Sequence, residues 1–234
     1  TGVAEGNTNA ERLITMLNVV NGSLVIEEKG IYSVEKFLMA RRFMYWQVYL
    51  HKTAVVAERL LISILKRARF LIEKGETLNS STPLHYFLTH HIDINNFNGD
   101  TLIKFAKLDD IDILAALKEW QYSNDFVLSS LCAMIINRKL LHIKVKKEPI
   151  SETKFLMQLN KVKAEYNITD EEASYFVFKG ELRNKAYDRQ HQTINILRKN
   201  GKITDVAKLS DHLNLNALSK TVTKYYMCYP KEGV

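Results

Sequence analysis

Two adjacent arginines stand in the middle of an apolar and aromatic segment, FLMARRFMYWQVYLHK, at residues 37–52. A guanidinium is rarely buried without a partner, because hydrogen bonds and an opposite charge must replace the water that it loses. An internal carboxylate would make such an arginine structural. A bound phosphate would make it functional, since the planar fork of N–H donors fits phosphate oxygens. The tyrosines nearby would then flank a sugar or a base.

Helical spacing of about 100° per residue divides this segment into two faces. One face carries Arg41 with Tyr45, and the other carries Arg42 with Tyr49. Geometry alone therefore pairs Arg42, rather than Arg41, with Tyr49. Because the segment is apolar on nearly every side, we expect its helix to be buried or nearly so.

The elements that must position these residues are mostly helical, since the chain has only three prolines and nine glycines. We predict helices at residues 10–20 (with Asn9 as N-cap and Asn21-Gly22 as the stop), 33–50, 53–74, 83–90, 109–120, 125–137, 151–166 and 213–221. Strands are predicted at residues 23–28, 140–147, 174–183, 193–206 and 224–230. Asn200-Gly201 between alternating apolar residues predicts a β-hairpin.

The predicted fold class is mainly α, with a helical-bundle body at residues 1–148 and a small C-terminal α/β subdomain at residues 149–234. The helix that starts near Thr53 is amphipathic. Its apolar stripe comprises Val56, Leu60, Ile64, Ala68 and Leu71, and its basic residues Arg59, Lys66 and Arg67 are expected off that stripe.

Composition limits the classes of protein. Of the 234 residues, 46% are hydrophobic and 25% charged, which is ordinary for a soluble globular protein. There is no apolar run near the ~20 residues of a membrane helix, and the first residues do not resemble a signal peptide. Cys132 and Cys228 stand far apart in apolar contexts, which is typical of core packing in a reducing compartment. We therefore predict a cytoplasmic protein.

A net charge of +7 raises the alternative of nucleic-acid binding. The excess is spread along the chain, and the longest basic block is KVKK at residues 144–147. Nucleic-acid binders usually concentrate their charge in a stripe, so this alternative ranks last. A diffuse excess equally favours small polyanions.

Three stretches resemble one family. ARRFMYWQVYLHK (residues 40–52), TGVAEGN followed by NAERLI (residues 1–14), and GKITDVA with KYYMCYP near the end are similar to the deoxynucleoside-triphosphate triphosphohydrolase, or dGTPase-like, group of HD-domain phosphohydrolases. This resemblance implies conversion of a dNTP to a deoxynucleoside and triphosphate by a divalent metal, which a His…His-Asp…Asp set holds.

The metal ligands of that family are not found in this chain. It contains no His-Asp dipeptide, and its only metal-like cluster, His90-His91-Ile92-Asp93, is more typical of a helix end at the surface. The resemblance puts the ligands upstream of Thr1. We therefore expect the chain to be the C-terminal part of such an enzyme, to bind no metal itself and to be inactive alone.

The resemblance also implies site residues. Arg41 falls on the arginine that grips the substrate triphosphate, and Tyr49 on the tyrosine beside the deoxyribose. A regulatory nucleotide site between subunits is implied at Asn9, Arg12, Lys29, His51, Lys52 and Arg138, each of which is otherwise a solvated surface group. A homodimer or homotetramer that binds dNTP or GTP is expected. The alternative is a nucleotide-sensing or oligomerisation module without catalysis.

Overall fold

The computed structural model describes residues 4–6, 8–185, 187–188, 193–210 and 220–231. The mainly α fold class with small sheets is confirmed. The α-helices are α1 (Ala10–Thr15), α2 (Ile31–Met44), α3 (Lys52–Glu73), α4 (Thr82–Thr89), α5 (Gly99–Ala106), α6 (Asp110–Trp120), α7 (Phe126–Ile136), α8 (Glu152–Tyr166), α9 (Asp170–Ala173) and α10 (Val206–Leu209). The strands are β1 (Leu17–Val20), β2 (Ser23–Glu27), β3 (His142–Lys146), β4 (Phe178–Asn184), β5 (Asn195–Leu197), β6 (Ile203–Asp205) and β7 (Val222–Tyr229).

The helix predicted at residues 10–20 is wrong in its second half. It begins as expected, with the Asn9 side chain accepting a hydrogen bond from the Arg12 N–H at 3.2 Å. It ends at Thr15, and β1 follows, paired antiparallel with β2. Asn21 and Gly22 both have positive φ, 50° and 73°, as a type I′ hairpin turn requires. Asn-Gly thus ends a strand here rather than a helix.

A four-stranded sheet has the order β1-β2-β5-β6. Strands β5 and β6 form the antiparallel hairpin predicted around Asn200-Gly201, so that prediction is confirmed. Gly201 has a φ of 78°, and its N–H donates to the Arg198 carbonyl at 2.9 Å. Strand β2 pairs in parallel with β5, with Ile26 opposite Ile196. A separate sheet has the order β3-β7-β4.

The described residues group into two units by their contacts. The first draws on Thr1–Ala54, Lys146–Pro149 and Glu181–Tyr225, and the second on Val55–Val145, Ile150–Gly180 and Tyr226–Val234. In the first unit, the buried side chains of α2 pack with the Tyr187 and Ile196 side chains. The division of the chain into domains at residues 1–148 and 149–234 stays a prediction.

The core of the second unit is built on α3. All five residues of the predicted apolar stripe are buried, which confirms that stripe. Arg67 is the exception to the prediction, because only 6% of its surface is exposed. The indole N–H of Trp120, also buried, donates to the Asn79 carbonyl at 2.8 Å. Cys132 and Cys228 are both buried and free, as predicted, and burial raises the pKa of each thiol to about 12.

Side-chain caps explain several of the remaining boundaries. Ser81, Asp109 and Asp125 each cap the helix that follows, close to the predicted starts of α4, α6 and α7. Helix α2 begins at Ile31, before the predicted Ser33, while α5 and α9 are helices that the sequence did not predict. Most of the helix predicted at residues 213–221 falls outside the described residues. Among the helices that the structure describes, none could cross a membrane.

Candidate functional site

The segment that carries the two arginines ends in a π-turn, Tyr45–Tyr49, and not in a regular α-helix. The Leu50 N–H donates to the Tyr45 carbonyl at 2.7 Å, five residues back instead of four. Such a turn is wider than an α-helical turn, so a residue four positions on falls closer to the starting face. The centroids of the Tyr45 and Tyr49 rings are 5.3 Å apart. π-Turns occur frequently at functional sites.

The Tyr45 ring connects Tyr49 to Arg41 rather than to Arg42. The guanidinium carbon of Arg41 lies 5.8 Å from the centre of the Tyr45 ring, and that ring contacts Tyr49. Arg41, Tyr45 and Tyr49 therefore form a continuous row, whereas regular helical spacing had paired Tyr49 with Arg42. Tyr45 is the member of this row that sequence reasoning missed, although its spacing of four residues from each neighbour is the signal for it.

Arg41 is partly buried, and no carboxylate of the described residues forms an ion pair with it. Arg67 shows the opposite arrangement. Its Nε and Nη2 donate to the two carboxylate oxygens of Asp125 at 3.1 and 2.6 Å. Burial alone would lower the pKa of Arg67, but the hydrogen bond and charge of Asp125 raise it above the ordinary value. The structural type of arginine is thus Arg67, whereas Arg41 has donors that no described carboxylate accepts.

The expectation that the helix at residues 37–50 is buried is wrong for this chain. Only one side of α2 is covered, where Val34, Leu38 and Ala40 pack inward. Phe37 and Phe43 are more than a third exposed, and Tyr49 is 60% exposed. The helix carries apolar residues on both sides, and the described residues cover just one of them. Trp46 is partly covered, because the Lys224 amine lies 3.9 Å from its ring centre.

The turn Ala4–Gly6 lies against the end of α2. A Cβ on Gly6 would come 2.6 Å from the sulfur of Met44, so a side chain at this position would displace the methionine. Two of the segments singled out from the sequence, near the N-terminus and at residues 40–52, therefore meet in space.

The residues predicted for a regulatory site have separate local roles in the structure. Asn9 caps α1, and Arg12 stands exposed on that helix. Lys29 pairs with Glu27 at 3.3 Å, an exposed ion pair of small energy. His51 and Lys52 are neighbours at the start of α3, where the helix dipole favours anions. The His51 Nδ1 accepts from the Thr53 N–H at 3.3 Å, so Nε2 is the nitrogen left for a ligand.

Arg138 belongs to the second unit, unlike the other five predicted residues. It is exposed and has a φ of 57°, which L-residues other than asparagine and aspartate seldom adopt. Its position after α7 is fixed by backbone hydrogen bonds, including one from its own N–H to the Ile135 carbonyl at 3.1 Å.

A divalent metal does not fit the residues that the structure describes. They contain no group of three histidine, cysteine or acidic side chains that could hold one. At the cluster noted in the sequence, the His90 Nδ1 lies 3.0 Å from the Tyr86 carbonyl, and its ring stacks on Tyr86. The Asp93 carboxylate instead accepts the backbone N–H groups of Asn95 and Asn96.

The chain is similar to a protein family and to several known proteins. Residues 8–81 match the family described as the HD associated region. The chain is 30% identical to the uncharacterized protein YwfO of Bacillus subtilis strain 168, over 99% of this chain and 52% of that protein. It is 46% identical to a phosphohydrolase of Bacteroides thetaiotaomicron, whose crystal structure superposes with a TM-score of 0.91 over 98% of this chain and 58% of the other.

A more distant crystal structure, a hypothetical protein from Aquifex aeolicus, shares the fold. It is 22% identical, with a TM-score of 0.61 over 97% of this chain and 50% of its own. The chain spans about half the length of the relatives that it matches. Residues 8–81 therefore resemble the HD associated region, and the chain as a whole is similar to about half of a phosphohydrolase, which supports the resemblance at that coarser level.

Proposed function

We propose that this chain supplies the triphosphate-gripping wall of an HD-family phosphohydrolase that converts a dNTP to a deoxynucleoside and triphosphate. The proposal rests on the environment of Arg41. This arginine is partly buried, it has no carboxylate partner among the described residues, and it lies in one row with Tyr45 and Tyr49. An arginine of this kind has donors available for an external anion.

Each member of the row has a role in this proposal. The Arg41 guanidinium binds non-bridging oxygens of the triphosphate through two parallel N–H donors. Tyr49, with its ring largely exposed, lies beside the deoxyribose. Tyr45 holds both, because its ring contacts the guanidinium on one side and Tyr49 on the other. Arg41 thus orients the phosphates by position and charge.

The metal of the intact enzyme is held by residues outside this chain in our proposal. When bound, it would polarise the phosphate and activate a water molecule. The related phosphohydrolase supports a metal in the parent family. The part played by this chain is to bind and orient the substrate, and alone the chain is inactive.

The test uses the intact protein with Mg²⁺ or Mn²⁺ and each of the four dNTPs, with products followed by ³¹P NMR. We expect tripolyphosphate to accumulate, with no pyrophosphate or orthophosphate. Arg41→Gln should lower kcat/KM about 10- to 100-fold, and Arg42→Gln, its matched neighbour, much less. No turnover of any dNTP would contradict the proposal. If nucleotides still bound tightly, that result would favour a nucleotide-sensing module instead.

We further propose that a regulatory dNTP or GTP binds between subunits, at a site that draws on Asn9, Arg12, Lys29, His51, Lys52 and Arg138. The exposed cations Arg12 and Lys52 support this, together with the anion-favouring start of α3. Asn9 and Lys29 already have partners, and so they are expected to contribute less. Calorimetry should show that Arg12→Glu with Lys52→Glu abolishes GTP and dGTP binding, while Lys118→Glu on α6 does not. Unchanged binding in the double variant would reject the site.

Self-association is the last element of the proposal. Phe37 and Phe43 of α2 are exposed aromatic residues, which a second subunit or the rest of the intact enzyme would cover. Light scattering of the intact protein should give the mass of a dimer or a tetramer. A monomer at every concentration would exclude a regulatory site that two subunits share.

A further inference from the structure

The second unit contains a cavity of about 370 Å³ that is lined by none of Arg41, Tyr45 and Tyr49. One wall is a single face of α3, with Arg59, Ser63 and Lys66 at spacings of four and three residues. The opposite wall comes from the residues after α9, including Tyr175 and Phe178. Its volume falls within the range of small-molecule sites, roughly 300–1,000 Å³.

Arg59 brings an unsatisfied donor to this cavity. Its Nε is buried and has no hydrogen-bond partner among the described residues. Its ion pair is with the adjacent Glu58, at the long distance of 4.0 Å. A buried N–H without an acceptor is unfavourable, and more so where the group is charged. The Arg59 guanidinium therefore has donors that this unit does not satisfy.

Tyr226 brings a second donor, its hydroxyl, to the cavity. It lines the cavity, only 3% of its surface is exposed, and its hydroxyl donates to no described residue. The ring lies so close to Gly180 that a Cβ there would come 2.5 Å from the hydroxyl oxygen. Burial raises the pKa of Tyr226, against the opposing effect of the nearby Arg59 charge. The hydroxyl consequently remains protonated and able to donate at neutral pH.

The charge balance of the cavity is positive. Lys66 is exposed at its rim and has no ion-pair partner in the described part of the chain. Lys179 is already paired with Glu152, and Glu171 is the acidic residue of the lining. Arg59 and Lys66 together outweigh Glu171. An anion with several acceptor oxygens would satisfy the Arg59, Lys66 and Tyr226 donors together.

We propose that this cavity binds a small phosphate monoester with an aromatic body. The phosphate accepts hydrogen bonds from Arg59, Lys66 and Tyr226, and the body packs between the Tyr175 and Phe178 side chains. A phosphate fits better than a carboxylate, because three terminal oxygens match three separate donors. The site shares no residue with the row of Arg41, Tyr45 and Tyr49, so its existence does not depend on the dNTP hydrolysis proposed above.

The experiment titrates the 234-residue chain with phenyl phosphate and with inorganic phosphate, using calorimetry. We expect saturable binding of phenyl phosphate that is clearly tighter than that of inorganic phosphate. Arg59→Lys retains the charge and removes the Nε donor, and it should weaken binding about tenfold. Lys66→Gln changes an exposed residue, so the fold is preserved, and it should weaken binding several-fold. Lys118→Gln on α6 is the matched control and should leave the affinity unchanged.

Three results would overturn the proposal. The first is no saturable binding of phenyl phosphate at millimolar concentration. The second is equal weakening by Lys66→Gln and by the Lys118→Gln control, which would mean diffuse ionic attraction. The third is equal affinity for inorganic phosphate and phenyl phosphate, which would refute recognition of the aromatic body.

Discussion

Replacing Asp125 with alanine should destabilise the second unit more than any ordinary helix-cap substitution. Asp125 accepts two hydrogen bonds from the buried Arg67 and one from the Leu128 N–H at 2.7 Å, as the cap of α7. The side chains of Arg67 and Asp125 are only 7% and 12% exposed. The substitution therefore removes a cap and leaves a buried guanidinium without its main partner.

The magnitude follows from these two losses. Breaking a buried ion pair by removing one partner costs about 3–5 kcal/mol, and losing an N-cap costs about 1 kcal/mol. Glu172 lies 3.6 Å from the Arg67 Nη2 and would retain part of the pairing. We therefore expect the free energy of unfolding to fall by about 3–4 kcal/mol, a large share of the 5–15 kcal/mol typical of a native protein.

Urea unfolding at pH 7, followed by circular dichroism, measures this loss. Asp109→Ala is the matched control, because Asp109 caps α6 with a capping box and pairs with no arginine that the structure describes. It should cost about 1 kcal/mol. If Asp125→Ala cost no more than Asp109→Ala, the assignment of a strong buried pair to Arg67 would be refuted.

Three further outcomes are expected. Burial would raise the pKa of Asp125, but the hydrogen bonds from Arg67 and Leu128 lower it below the ordinary value. The stabilising effect of the carboxylate is therefore present above about pH 4 and is lost as pH falls through the lowered pKa. In urea unfolding at a series of pH values, the free energy of unfolding should fall less on acidification in Asp125→Ala than in the wild type, and equal losses would contradict the pairing. Gly22→Ala should cost about 1 kcal/mol in thermal unfolding, because an L-residue is strained at a φ of 73°, whereas Gly99→Ala, with open space and no positive φ, should be nearly neutral. The Cys132 and Cys228 thiols, buried and with pKa values of about 12, should react with a thiol reagent at pH 8 only after denaturant is added, and rapid labelling of the native chain would contradict their burial.

The parts of the fold that the sequence predicts well rest on local physical signals. The apolar stripe of α3 repeats at helical spacing, and all of its members are buried. Ser81, Asp109 and Asp125 have the side chains that accept N–H bonds at a helix start. The hairpin at Asn200-Gly201 follows from the backbone conformations that glycine and asparagine tolerate.

The features of the fold that the sequence did not predict depend on contacts that the local sequence pattern does not show. Nothing in the spacing of residues 45–49 predicts that this segment forms a π-turn. Arg67 was predicted to lie off the apolar stripe of α3, but it is buried. Its burial depends on Asp125, 58 residues away in the chain. At Asn21-Gly22 a helix stop and a hairpin turn have the same local sequence, and pairing of β1 with β2 decided between them.

At the candidate site, too, local spacing predicted some features and failed for others. The choice of Arg41 over Arg42 came from family resemblance, and helical spacing favoured Arg42. The geometry supports Arg41 through the ring of Tyr45. What each predicted residue binds stays a prediction, because the chain carries these residues on the surface and on a half-covered helix.

We propose that the Arg41 guanidinium, which pairs with no described carboxylate, binds a polyphosphate. The most direct measurement is the affinity of the chain for inorganic tripolyphosphate in the wild type, Arg41→Gln and Arg42→Gln, at fixed ionic strength. Each variant removes one cation, so diffuse attraction falls equally in both. We predict at least about tenfold weaker binding in Arg41→Gln and less than about twofold in Arg42→Gln. Equal affinities in the two variants, or no binding by the wild type, would contradict the account.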